Sequence, residues 1–107
     1  RFYRLWRNVM DVISIKDFPG IRIGNAQNVD GGTGCTVILS EGGMCAGLDV
    51  RGGGPASRES ELLKPLANAQ TIHAVLFGGG SAFGLDAGGG VMQFLEEKDI
   101  GLPVGSF

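Results

Sequence analysis

Hydrophobic and polar positions change period several times along this chain. Residues 21–25, Ile-Arg-Ile-Gly-Asn, alternate apolar and polar, the two-residue period of a half-buried strand. The preceding Phe18-Pro19-Gly20 is a turn signal, with Pro suited to the second and Gly to the third position of a type II turn. Residues 28–34 read as a loop. Residues 35–40 and 44–50 read as the arms of a hairpin around Glu41-Gly42-Gly43, and the glycines at 52–54 with Pro55 break the sheet. Residues 57–64 predict a short helix, with Ser57 as N-cap, Glu59 and Glu61 near the positive end, and Pro65 limiting its length. Residues 71–77 are a continuous apolar run, the pattern of a central strand covered on both faces. A glycine loop at 78–84 then leads into a helix predicted over 82–97, with Ser81 as its N-cap. Leu85, Gly88, Met92 and Leu95 fall on one face of that helix, extended by Ala87, Val91 and Phe94. Gly88, Gly89 and Gly90 each cost about 0.8–1.0 kcal/mol against Ala inside a helix. Something must press closely on that side, most simply the sheet.

Composition narrows the class. With 107 residues the chain is at most one domain, and 43% hydrophobic against 19% charged residues is globular rather than disordered. Nine basic and eleven acidic residues give a net charge of −2, which leaves no electrostatic footprint for nucleic acid. Apolar runs such as 74–77 are far short of the roughly 20 residues that span a bilayer, so no membrane is expected as a partner. Glycine is the anomaly, at 20 residues in blocks without a fixed period, which excludes collagen and solenoids. Tight turns, close backbone approach and packing from outside this chain would account for such a content. In the predicted hairpin Cys35 and Cys45 stand four positions apart, roughly 13 Å, too far for a disulfide, so two reduced thiols in a cytoplasmic protein are expected. Residues 1–10 hold three arginines but lack the apolar core and cleavage site of a secretory signal. They read as an extension or remnant, whose Phe2, Leu5, Trp6 and Val9 would line one face of a short helix.

Three sharp readings of the glycine loop fail on single residues. A dinucleotide fingerprint and a nucleophile elbow both require Gly where Phe83 stands, and a phosphate-binding P-loop requires a lysine where none lies between Lys64 and Lys98. A weaker pair of readings stays open. Backbone N–H groups of Gly79, Gly80 and Ser81 at a helix start bind an anion or oxyanion, or the glycines only permit tight packing while Ser81 caps. His73, the sole histidine, sits on a strand read as buried and is expected to be structural. Asp86 in the first turns suits the helix dipole. No His, Cys, Asp or Glu spacing resembles a metal site, and no cofactor is expected.

Several of these segments resemble the L-aminopeptidase/D-esterase family, which includes β-aminopeptidases and nylon-oligomer hydrolases. The resemblance is carried by residues 18–24, by Gly34-Cys-Thr-Val-Ile38, and by Asp49-Val-Arg-Gly-Gly53 with Pro55, Arg58 and Glu59. It is strongest over Gly79-Gly-Ser-Ala-Phe-Gly-Leu-Asp-Ala87, followed by 90–92 and 95–97; Gly88 and Gly89 depart from the pattern. The resemblance implies an α/β fold, the N-terminal part of an αββα sandwich, here a mixed sheet with the hairpin, the central strand and packing helices. It also implies self-cleavage of a precursor, a new N-terminal Ser or Thr as nucleophile, hydrolysis of amides or esters without metal, and assembly into homo-oligomers. No position in 1–107 matches the family's catalytic residues, so 11–107 read as the N-terminal segment of a larger hydrolase domain, inactive alone. Its expected partners are the remainder of its own precursor and a peptide or amino-acid amide or ester substrate. Gly79, Gly80, Ser81 and Phe83 are the candidate substrate-binding residues. The alternative is a truncated or binding-only scaffold.

Overall fold

The computed structural model describes residues 12–105; the expected helical face of residues 1–10 lies outside them. A capping box opens the described chain. Ser14 Oγ accepts from the Lys16 N–H at 3.3 Å and Asp17 Oδ2 accepts from the Ser14 N–H at 2.9 Å, closing a one-turn 3-10 helix over Ile15–Asp17. The turn at Pro19-Gly20 follows as expected, with Gly20 at φ +88°, a value a side chain would resist.

Three antiparallel strands form one sheet: β1 (Arg22–Asn28), β2 (Thr33–Met44) and β3 (Ile72–Gly78), in the order β1-β2-β3. The hairpin is not where the glycines of 42–43 suggested. It joins β1 to β2, because Asn28 Oδ1 accepts from the Gly31 N–H at 2.8 Å and Gly32 takes φ +59°, which together reverse the chain. Residues 41–43 instead stay within β2 as an irregularity. Register jumps from Leu39 opposite Ala74 to Met44 opposite Ile72, Gly43 takes φ +81°, and an Arg22–Glu41 ion pair spans the bulged region. Cys35 therefore pairs with Ala26 and Gly78 rather than Asp49, Cys45 lies beyond the strand, and both thiols are free.

Two further expectations are corrected. Among the described residues the sheet is antiparallel throughout rather than mixed, and β2 rather than 71–77 is its middle strand. β3 is an edge. Its side chains are half-buried from Ile72 to Leu76, and Phe77 is 61% exposed. An unbroken apolar run fits cover on both faces, and the described residues supply that cover on one side only.

The predicted helix of 82–97 is two pieces, α1 (Ser81–Gly84) and α2 (Ala87–Glu96). Bonds of i→i+3 type link them, from Asp86 N–H to Phe83 O at 3.2 Å and from Gly88 N–H to Leu85 O at 3.1 Å. α2 packs against β3, with its Val91 and Leu95 half-buried, while Met92 is 55% exposed. The sheet does not explain the glycine triplet. A Cβ on Gly89 or Gly90 would meet nothing within 4 Å, and one on Gly88 would meet the Arg58 side chain. The expected helix at 57–64 shrinks to one 3-10 turn, Ser60–Leu63, preceded by Glu59 at φ 60° without a side-chain cap.

Only Leu39 and Ser40, in the middle strand, are buried among the described residues. The radius of gyration is 17.3 Å, against about 13 Å for a compact chain of this length. This sheet with its one helical layer does not enclose a core.

Candidate functional site

The strand-to-helix turn at 78–84 is built on backbone contacts that exclude side chains. The Gly79 N–H donates to Gly34 O at 2.8 Å, tying the loop to the start of β2, and the Gly84 N–H donates to Gly80 O at 3.1 Å. A Cβ on Gly79 would stand 2.7 Å from Thr33 Oγ1, and one on Gly34 would stand 2.6 Å from Ala26 O. At Gly84 the Cβ would collide with the Gly79 carbonyl. Gly34 and Gly84 are required by close backbone approach, whereas at Gly79 the nearest atom is a threonine hydroxyl, with the Gly34 carbonyl next at 3.2 Å.

Gly80 and Ser81 both take left-handed conformations, with φ +91° and +57°. For serine this costs roughly 1–2 kcal/mol. Gly80, not Ser81, occupies the N-cap position, and no side-chain cap bond forms there. The reading of Ser81 as cap is thus corrected: its Oγ makes no hydrogen bond among the described residues. α1 is a single turn, too short for a helix dipole to gather at its start. Ser81 thus sits at a strained strand-to-helix turn, although the sequence lacks the last glycine of a nucleophile elbow.

No base reaches it from the only histidine. His73 lies near the start of β3, five residues and about 17 Å from Gly78 at roughly 3.3 Å per residue, at the other end of the strand from the loop. Its half-buried ring makes no hydrogen bond among the described residues, so it is not the satisfied core histidine expected from the sequence.

Beside the loop lies an open hollow of about 980 Å³, lined among others by Asn25, Gln27, Thr33, Thr36, Phe77 and the loop's Gly79 and Gly80. Ser81 and Phe83 are on the same loop but not in this lining, and Phe83 is 94% exposed. The structure thus brings Gly79 and Gly80 to a cavity and leaves Ser81 and Phe83 next to it, outside its lining. Sequence reading missed Asn25, Thr36 and Phe77, because their alignment depends on the strand register set by the turn at Asn28. A smaller apolar groove of about 470 Å³ runs between α2 and the sheet, lined by Val37, Leu39, Gly90, Val91 and Phe94. Among the described residues no group of three His, Cys, Asp or Glu is arranged to hold a metal ion, and no helix is long and apolar enough to cross a membrane.

The family model for peptidase family S58 matches residues 14–104, which takes in every strand and helix above. The chain belongs to peptidase family S58. An uncharacterized aminopeptidase of Mycobacterium tuberculosis is 42% identical over 101 residues, covering 87% of this chain and 29% of the relative. An uncharacterized aminopeptidase of Mycobacterium leprae is 41% identical over 97 residues, covering 83% and 27%. A 6-aminohexanoate-oligomer endohydrolase of a Kocuria strain is 36% identical over 83 residues, covering 77% and 21%. The S58 chain described here therefore spans less than a third of the length of the curated relatives it matches.

Proposed function

We propose that this chain is the N-terminal segment of an aminopeptidase-type hydrolase of amides or esters, made active by self-cleavage of a precursor. The nucleophile is a Ser or Thr freed at a new N-terminus outside residues 1–107. The family match over 14–104 carries the reading. Two structural features support it. Ser81 has no histidine within reach, and the sheet has a free apolar face.

That face is the one opposite α2. Ile23, Ile38 and Val75 are direct register partners and share it, since neighbouring residues on a strand alternate sides and Val37 and Leu39 line the groove beneath α2. The open edge of β3, Ile-His-Ala-Val-Leu-Phe-Gly, carries neither the lysine nor the proline with which exposed edges are normally protected. In this reading the remainder of the precursor covers the apolar row and the edge, completing an αββα sandwich whose polar end beside the glycine loop stays open, and the whole assembles as a cytoplasmic homo-oligomer. The loop residues Gly79, Gly80, Ser81 and Phe83 border the substrate pocket.

Mass spectrometry of the full-length protein tests this directly. Two fragments are expected, the second beginning with Ser or Thr, together with turnover of a chromogenic amino-acid anilide. Ser81→Ala and Phe83→Ala should each lower kcat/KM about tenfold or more. A single uncleaved chain without turnover would favour the scaffold reading instead.

A further inference from the structure

The free face of the sheet is not uniform. Its apolar row, Ile23–Ile38–Val75, gives way two residues further along to Asn25–Thr36–Phe77, again direct register partners on one face. Thr36 Oγ1 donates to Asn25 Oδ1 at 2.7 Å, which fixes the plane of the carboxamide. Among the described residues the Asn25 Nδ2 donates to no protein group. The next row holds Gln27 and Gly34, and Gly34 has no side chain because the backbone of β1 approaches too closely. With Gly79 beside it, the floor of the hollow is bare backbone. Its other lining residues supply carboxamides, hydroxyls, the Cys35 thiol, the exposed Val29 and the exposed Phe77 ring.

Among the described residues no charged side chain lines the hollow. A carboxylate or phosphate would find no cation among these residues, whereas an amide carbonyl would find a fixed N–H donor, backbone groups and an apolar surface for an adjoining side chain. The volume of about 980 Å³ lies at the upper end of small-molecule sites. We propose that Asn25, held by Thr36, donates its Nδ2–H to the amide carbonyl of the substrate, while Phe77 receives the substrate's apolar side chain. Asn25 and Phe77 are then specificity-determining residues and Thr36 a positioning residue. The inference rests on the hydrolase reading above, because it names the substrate end of the same site.

The test uses the full-length enzyme and two anilides, of leucine and of glycine. Asn25→Asp retains the acceptor for Thr36 but removes the donor. KM for both substrates should rise about tenfold or more, with kcat altered less than about twofold. Thr36→Val keeps the shape of the strand residue and should raise KM in the same direction by a smaller factor. It carries the test if Asn25→Asp fails to fold. Phe77→Ala should raise KM for the leucine anilide and leave that for the glycine anilide unchanged. Unaltered kinetics in the Asn25 and Thr36 variants, while Ser81→Ala and Phe83→Ala lose activity, would overturn this inference and leave the hydrolase reading intact. A loss confined to kcat would also overturn it, by showing that the row does not recognise the bound substrate. Absence of turnover by the unaltered enzyme would overturn both.

Discussion

Gly84→Ala and Gly89→Ala add the same methyl group five residues apart, and the structure assigns them opposite signs. Neither glycine has a positive φ, so neither needs glycine's conformational freedom, and an added methyl should gain up to about 1 kcal/mol of helix propensity at each. At Gly89 that gain is unopposed, because a Cβ there meets nothing within 4 Å. At Gly84 the new Cβ collides with the Gly79 carbonyl, which is backbone and cannot rotate aside. Relief requires moving the loop, which threatens the Gly79–Gly34 and Gly84–Gly80 hydrogen bonds of 2.8 and 3.1 Å. Overpacking of this kind costs about 1–3 kcal/mol, and a lost hydrogen bond about 1 kcal/mol. Gly84→Ala should therefore destabilise by about 1–3 kcal/mol net, and Gly89→Ala should stabilise by about 0.8–1 kcal/mol. Urea denaturation of the full-length protein, followed by far-ultraviolet circular dichroism, measures both as shifts in midpoint at constant slope. If Gly84→Ala lies within about 0.5 kcal/mol of the parent, the backbone contact does not hold the loop. If Gly89→Ala is destabilising, that surface of α2 is in contact with something other than residues 12–105.

Ser81→Gly should raise stability by about 1 kcal/mol in the same assay, since glycine adopts φ +57° without the penalty paid by an L side chain; a destabilised variant would mean that the hydroxyl has a structural partner. Cys45 is exposed and Cys35 half-buried, so brief alkylation of the native protein without reductant should label the peptide of Cys45 first and that of Cys35 more slowly. A species lighter by two hydrogens and joining these two peptides would show a disulfide instead.

Local chemistry made much of this chain legible. The Pro19-Gly20 turn, the alternation that becomes β1, the apolar run that becomes β3 and the glycine loop that follows it each express a preference of a few adjacent residues. Family membership was legible for the same reason, since it is carried by short motifs that keep their order. The position of the hairpin was misread because two glycine-rich segments competed. Gly42-Gly43 resemble a turn as much as Gly31-Gly32 do, and only the Asn28 side chain, bonding to the Gly31 N–H, separates them. The helix boundary was misread because Ser81 is a good N-cap by type, yet the approach of Gly84 to the Gly79 carbonyl turns the backbone before a cap bond forms.

The sequence by itself determined the segments that become β1, β3 and α2, whereas the strand expected over 44–50 ends at Met44 and the helix expected over 57–64 is one 3-10 turn. Tertiary structure alone decided the register that aligns Asn25, Thr36 and Phe77, the burial of Leu39 in the middle strand, and the edge position of β3. The physical reason is range. Turn and strand preferences act over a few residues, whereas register is set when three distant strands share hydrogen bonds and one covered face. An apolar run states that a strand is suited to burial, but not which neighbours bury it.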